Sequence, residues 1–400
     1  MKSSGNGAVP ILMYHSVGRA LTDWSWSNLT TPAEVFEDHL RALSRAGYRS
    51  ATLREWHAHV RGERPLAART VVLTFDDGYL DNWVYAAPLL ERYGYAGTVL
   101  VTPEFVHPGD AVRPTLRDVW GGHLADADLP VRGFMSWEEL RRLLAAGLLD
   151  VQCHAMTHTW YPVSDEVVDF HHPADGHYWL DWNAEPESKP RYLERLGESR
   201  VPYGVPVYAH EKSLACRRYF PDPREAEHFA ALVAREGGPA LFARSGWREH
   251  LRAELASFRA SRESGGRPET DAEYRERLGR ELVESKRVIA SMLATQVEFL
   301  VWPGGGYNKE AMEFAREHYA AVTVSSGDRW RYRNRPGENP GKIVRRGVPS
   351  FRLHGRTVFA PGAYLVDFLD EFRGRPWARR RRQVRKLLYV VTGRAGVPPA

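Results

Sequence analysis

The sequence predicts an α/β fold built on a mainly parallel sheet. Short apolar, β-branched runs alternate with stretches of helical spacing along the chain, the pattern of parallel strands joined by crossover helices. One such run, Val71-Val72-Leu73-Thr74-Phe75, breaks abruptly into Asp76-Asp77-Gly78. It reads as a buried strand delivering two carboxylates to a loop, the end of a strand where α/β folds place their chemistry. The 400 residues are 43% apolar and 26% charged, enough to bury a sizeable core. No run approaches the roughly 18 continuous apolar residues of a membrane-spanning helix.

Strands are expected near 9–14, 71–75, 97–102, 150–153, 298–302, 319–325 and 342–346. Thr31-Pro32-Ala33-Glu34 combines a capping box with Pro at the first helical position and predicts a helix to about Ala46. Helices are also expected over 81–93 and 136–146. The latter opens with a capping box at Ser136-Trp137-Glu138-Glu139 and stops at Gly147. Thr270-Asp271-Ala272-Glu273 opens a long helix ending near Ala294, and Asn308 caps another to about 318.

Just past the strand at 150–153 come His154 and His158. One helical turn there would bring both imidazoles to one side. Two His and a carboxylate make a common zinc set with positions left open. Each group also has a structural alternative: a helix cap or solvated loop for the Asp pair, and packing or exposure for the His pair.

Taken together, Thr74-Phe75-Asp76-Asp77-Gly78 and His154-Ala155-Met156-Thr157-His158 resemble the first two motifs of the polysaccharide deacetylases. These carry the NodB homology domain and form carbohydrate esterase family 4; Ala155 stands where the family has Ser or Thr. The opening Val9-Pro10-Ile11-Leu12-Met13-Tyr14-His15-Ser16-Val17 looks like the first strand of the poly-N-acetylglucosamine deacetylase branch. Phe299-Leu300-Val301-Trp302-Pro303-Gly304-Gly305-Gly306-Tyr307-Asn308 is similar to the third motif. Leu353-His354 resembles the last motif with altered spacing. The resemblance covers residues 9–158 and roughly 270–350.

The resemblance implies a distorted (β/α) barrel over residues 1–375 and metal-dependent hydrolysis of an N-acyl, above all N-acetyl, group on an amino sugar of a polysaccharide or its precursor. It casts Asp77, His154 and His158 as ligands of a divalent metal, Zn2+ first, and Asp76 as the general base. The backbone N–H of Gly304 would be the oxyanion donor, and His15 or His354 the general acid. Tyr79, Trp302, Tyr307 and Arg345 would bind substrate, with Arg345 or Arg346 also able to orient Asp76. Two alternatives stay open. One is deacylation or deformylation of a lipid-linked sugar at the cytoplasmic membrane face. The other is a carbohydrate-binding protein without activity, which would have no need of all four motif residues.

Residues 160–268 interrupt the pattern with about 110 polar, aromatic-rich residues, far beyond an ordinary connection. Because this insertion leaves the barrel beside His158, it reads as a lid whose aromatics stack on sugars, or as a structural subdomain. Its His171, His172 and His177 read as solvated loop residues in preference to a second metal site. Residues 376–400 form a basic helix or tail, Trp377 to Val391 turning from arginines to apolar residues. With a net charge of +5, this segment suits an anionic membrane surface through 376–391, or else docks through Leu387, Leu388 and Tyr389. No nucleic-acid motif accompanies it, so no nucleic acid is expected. The polar N-terminus predicts no signal peptide, hence a cytoplasmic or membrane-peripheral location. Two cysteines make no disulfide framework, and Cys153 reads as a packed thiol.

Overall fold

The computed structural model describes residues 7–324, 332–353 and 356–392. Its centre is a parallel sheet rolled into a distorted, nearly closed barrel. The strands are β1 (Ile11–Tyr14), β2 (Arg49–Ala51), β3 (Thr70–Asp77), β4 (Gly97–Val101) and β5 (Leu149–Cys153). After the insertion hairpin β6 (Trp160–Phe170) and β7 (Pro206–Lys212) come β8 (Phe299–Leu300), β9 (Ala321–Thr323), β10 (Lys342–Ile343) and β11 (Arg345–Gly347). The order is β10-β9-β8-β5-β4-β3-β1-β11, with β2 beside β3. β10 and β11 stand at opposite ends of that order, yet only Val344 separates them. One stretch of chain therefore closes the barrel. At this seam the Asn334 side chain donates to the carbonyls of Val9 (3.0 Å) and Val344 (2.8 Å) and accepts from the Val344 N–H (3.2 Å). A side-chain amide thus satisfies backbone groups that a regular ladder would pair.

Every residue of β3, β4 and β5 is buried, as expected for parallel strands covered on both faces. Ile11, Val72, Leu100, Phe299 and Ile343 pack inward with Trp56 of the helix Leu53–Val60. Leu12, Leu73, Phe75, Val99 and Val151 face outward beneath the helices. Val72, Thr74 and Asp76 therefore share the inner face by simple alternation. Cys153 is buried, with its thiol 3.2 Å from Ser285 Oγ, a packed group as expected.

The expected strands are present, and the capping boxes at Ser136 and Thr270 form, opening the helices Trp137–Ala145 and Asp271–Leu278. The latter continues through a π turn over Gly279–Glu284 into Ser285–Leu293. Asn308 caps Lys309–His318. The cap at Thr31 does not form. Thr31–Pro32 pair in parallel with Val17–Gly18, Thr31 N–H donates to the Ser16 carbonyl, and the helix Ala33–Arg45 starts behind Pro32 with no side-chain cap. The insertion carries a small core of its own, including Phe170, Phe229, Val233, Trp247 and Leu251, between its hairpin and the helices Pro223–Arg235 and Trp247–Ala260. His171 is not solvated: it is buried and bridges Asp175 and Ser199 at 2.7 Å each.

The basic segment is a helix over Pro376–Thr392. Its docking differs from expectation. Tyr389 packs with Phe351 and Tyr364, Arg381 and Arg385 pair with Asp367, and Arg382 pairs with Glu371. Leu387 and Leu388 point outward instead.

Candidate active site

Alternation along β3 would send neighbouring carboxylates to opposite faces. The backbone of Asp77 turns left-handed (φ 71°), and Gly78 follows it (φ 74°), so the chain swings round and Asp77 meets the residues after β5. Ala155 (φ 60°) and His158 (φ 47°) are left-handed as well. Each such non-glycine residue costs about 1–3 kcal/mol and persists only where its surroundings enforce it. The segment from 154 to 158 is therefore a strained loop, not the expected helical turn.

Two buried side chains hold that loop. Glu281, on the π turn, accepts the N–H groups of Met156 and Thr157 at 3.1 Å each and the Thr157 hydroxyl at 2.5 Å. Lys189, from the insertion, donates to the Thr157 carbonyl (2.8 Å) and to Glu104 (2.5 Å). Neither residue was legible as part of a site in the sequence.

The loop brings His154 Nε2 to 3.2 Å and His158 Nε2 to 3.3 Å from one oxygen, Asp77 Oδ1. His154 Nδ1 lies 2.8 Å from the Val301 carbonyl, so the ring proton sits on Nδ1 and Nε2 presents a lone pair. Burial pushes His158 down to about 4, so it is neutral near pH 7. Asp77 Oδ1 has no hydrogen-bond partner. A buried carboxylate oxygen with no hydrogen-bond partner, faced by two imidazole nitrogens, is a place for a cation. The donor set of two neutral imidazoles and one carboxylate suits a divalent metal.

Asp76 lies beside this group and outside it. Arg345 Nη1 and Nη2 grip its two oxygens at 2.5 and 2.8 Å, and Nη1 also donates to Thr74. Burial alone would raise the Asp76 carboxyl; the guanidinium outweighs it and holds the pKa below the ordinary value. Both terminal nitrogens of Arg345 are thus committed to Asp76. His15 Nε2 is 3.9 Å from Asp76 Oδ2. The other acid candidate, His354, lies outside the described residues.

Gly304 sits in a turn (φ 53°) closed by the N–H groups of Gly305 and Gly306; its own N–H enters neither bond. Trp302 is buried, its indole N–H tied to the Thr323 carbonyl, and Tyr307 stacks on it at 5.0 Å. Tyr79 is buried against Phe134. Most aromatics of the insertion pack on one another: Trp179 and Trp182 are buried. Partly open rings stand nearer the metal set. Trp26 lies 5.1 Å and Trp160 5.9 Å from the His158 ring, and Tyr178 bonds the Trp26 indole N–H. Trp26 was missed in the sequence. Its signal was a Trp-Ser-Trp in a polar loop with no apolar periodicity to bury it.

Comparison with known proteins agrees with this geometry. Residues 63–203, which contain Asp76, Asp77, His154 and His158, match the family model described as polysaccharide deacetylase. This stretch, about a third of the chain, is similar to the polysaccharide deacetylases. It is 34% identical over 101 residues to YxkH of Bacillus subtilis, a protein named for the same family. It is 25% identical over 191 residues to the poly-beta-1,6-N-acetyl-D-glucosamine N-deacetylase of Escherichia coli. These matches take in 25% and 48% of this chain but only 34% and 24% of the relatives' own lengths. The deacetylase domain of BpsB from Bordetella bronchiseptica shares the fold, with a TM-score of 0.50 at 18% identity over 86% of this chain and 97% of that one.

Proposed function

We propose that this chain hydrolyses an N-acyl group, above all N-acetyl, from an amino sugar of a polysaccharide or its precursor. The observation that carries the reading is the pairing of Asp77, His154 and His158 with a separate, Arg-held carboxylate, Asp76. A divalent metal, Zn2+ first, held by the three ligands supplies Lewis-acid polarisation of the acyl carbonyl and of water. Asp76, ionised, takes a proton from the attacking water. The Gly304 N–H donates to the oxyanion as the carbonyl carbon becomes tetrahedral. His15 returns a proton to the leaving nitrogen as the C–N bond breaks, giving free amine and carboxylate. Trp26 and Trp160 supply apolar faces for sugar rings beside the metal. The test is release of acetate from N-acetylglucosamine oligomers by zinc-loaded protein, with metal analysis of the same sample. A metal-loaded chain that releases no acyl group from any N-acylated sugar sinks the reading.

Arg345 gives this mechanism a pH signature. Arg345→Met removes the largest influence opposing burial and leaves only His154 and His15 against it, so the Asp76 pKa rises and the acid limb of the kcat/KM profile moves to higher pH. Activity is then lost from the acid side first. An acid limb that stays in place counts against Asp76 as the base.

A second reading, a lipid-linked amino sugar at an anionic membrane surface, is favoured by the helix Pro376–Thr392. Trp377, Val384, Leu387 and Leu388 are 41–65% exposed, with Arg379, Arg380 and Lys386 exposed around them. Among the described residues no helix is long and apolar enough to cross a membrane. Replacing Arg379, Arg380 and Lys386 by Gln should weaken sedimentation with phosphatidylserine vesicles by about fivefold per charge at low salt, about 1 kcal/mol each. Intact protein that ignores such vesicles leaves a soluble glycan as the substrate.

A further inference from the structure

The glycine triplet of the Trp302–Tyr307 turn is filled from outside. A Cβ on Gly304 would stand 2.8 Å from Lys212 Cε and 3.6 Å from its Nζ, and one on Gly306 would stand 2.5 Å from Lys212 Cδ. The lysine stem therefore lies across these glycines, in space that any side chain there would take. Lys212 ends β7 and is registered directly opposite Trp160 on β6, so the two side chains leave the hairpin on the same face. Trp160 flanks His158. The turn beneath Lys212 begins next to Val301, whose carbonyl holds His154. Lys212 thus lies between the two segments that support the imidazoles, the Trp160 strand and the turn after Val301.

It arrives there without a counter-charge. Among the described residues the Lys212 side chain has no hydrogen bond and no ion pair, and it is half-buried. Neighbouring cations are committed: Arg217 to Asp271 and Glu310, Arg277 to Glu269. The site's own carboxylates are spoken for as well, Asp76 by Arg345 and Asp77 by the metal set. A partly desolvated cation with no protein partner, beside a site for sugars, is a receptor for an anion.

We propose that Lys212 binds an anionic substituent, a carboxylate or a phosphate, carried by the sugar whose N-acyl group faces the metal. This rests on the hydrolytic reading above and narrows its substrate class to acidic amino sugars. Glycines at 304 and 306 serve this arrangement by letting the lysine stem lie flat on the turn.

The test is a proton NMR titration of the intact, zinc-loaded chain with three sugars: N-acetylglucosamine, N-acetylmuramic acid and N-acetylglucosamine 6-phosphate. At low salt at least one acidic sugar should bind about fivefold or more tighter than the neutral one, and the preference should shrink as salt screens it. Which acidic sugar gains identifies carboxylate or phosphate. In Lys212→Met, which keeps the stem, the acidic-to-neutral ratio should fall to about one, and in Lys212→Arg it should persist. Equal affinity for all three sugars in the wild type, or an acidic preference that survives Lys212→Met, overturns the proposal. The acetate methyl signal in the same tubes reports hydrolysis separately. Acidic preference in a chain that also releases no acyl group from the oligomers or any other N-acylated sugar rejects the hydrolytic reading alone, and acetate release without acidic preference rejects the role of Lys212 alone.

Discussion

Asp76→Asn should keep its metal and lose turnover by about 10²–10⁴-fold, whereas Asp77→Asn should lose metal and turnover together. The two side chains are adjacent in sequence and both buried, so composition and burial do not separate them. Partners do. Asp77 Oδ1 meets two imidazole nitrogens, while both oxygens of Asp76 meet Arg345. An amide at 76 leaves the three ligand atoms where they are but cannot take a proton from water. An amide at 77 removes the negative charge that balances the cation, and with it the reason for His154 and His158 to face one another. Metal content after dialysis and acetate release on the same samples decide the matter. Equal metal loss in the two variants would place Asp76 among the ligands and leave the mechanism without its base.

The second large effect is expected at a residue that touches no ligand side chain. Glu281→Gln should weaken metal binding by about 10–100-fold, the range for removing a group that orients a ligand. The carboxylate accepts three hydrogen bonds from the loop between His154 and His158, both N–H groups at one oxygen and the Thr157 hydroxyl at the other, and an amide removes the charge that strengthens all three and makes the hydroxyl reverse its direction. Freed from its clamp, the loop relaxes from the left-handed backbone at Ala155 and His158, and His158 Nε2 leaves its place beside Asp77. Chelator competition measures the affinity. A Gln variant with unchanged affinity but a lower melting temperature would make Glu281 a packing residue and nothing more.

The parts of this molecule that could be read in the sequence are those governed by local rules. β3 and β4 are buried on both faces and carry apolar runs, and β5 sets Leu149, Val151 and Cys153 at period two; the boxes at Ser136 and Thr270 need only four residues each. The four motif residues were legible because each sits where such a run ends. What was lost depends on distant pairings. β6 contains Pro162 and alternates with charges over a half-exposed surface, its register shifts twice, and its partner begins 36 residues beyond its end, at Pro206. Thr31 has every local mark of a helix cap but is taken by Ser16 and Val17 instead. Glu281 reads as one more acidic residue on a polar helix; only the return of residues 156–157 to that helix gives it a task. Lys212 was invisible for the same reason, since the glycines it covers lie about 90 residues downstream.

The seam at residues 342–347 sets a timetable for a chain emerging from the ribosome. Asp77, His154 and His158 are all synthesised by residue 158, and Glu281 follows. The guanidinium that keeps Asp76 ionised arrives only with Arg345, on the last strand to join the barrel. Without that strand Asp76 lacks the strongest of the charges that favour its ionised form, and only His154 and His15 remain on that side of the balance. On the proposed mechanism, a nascent or truncated chain would own its metal ligands and still lack a fully charged base. On the proposed mechanism, hydrolytic competence would wait until the final strand had joined the first.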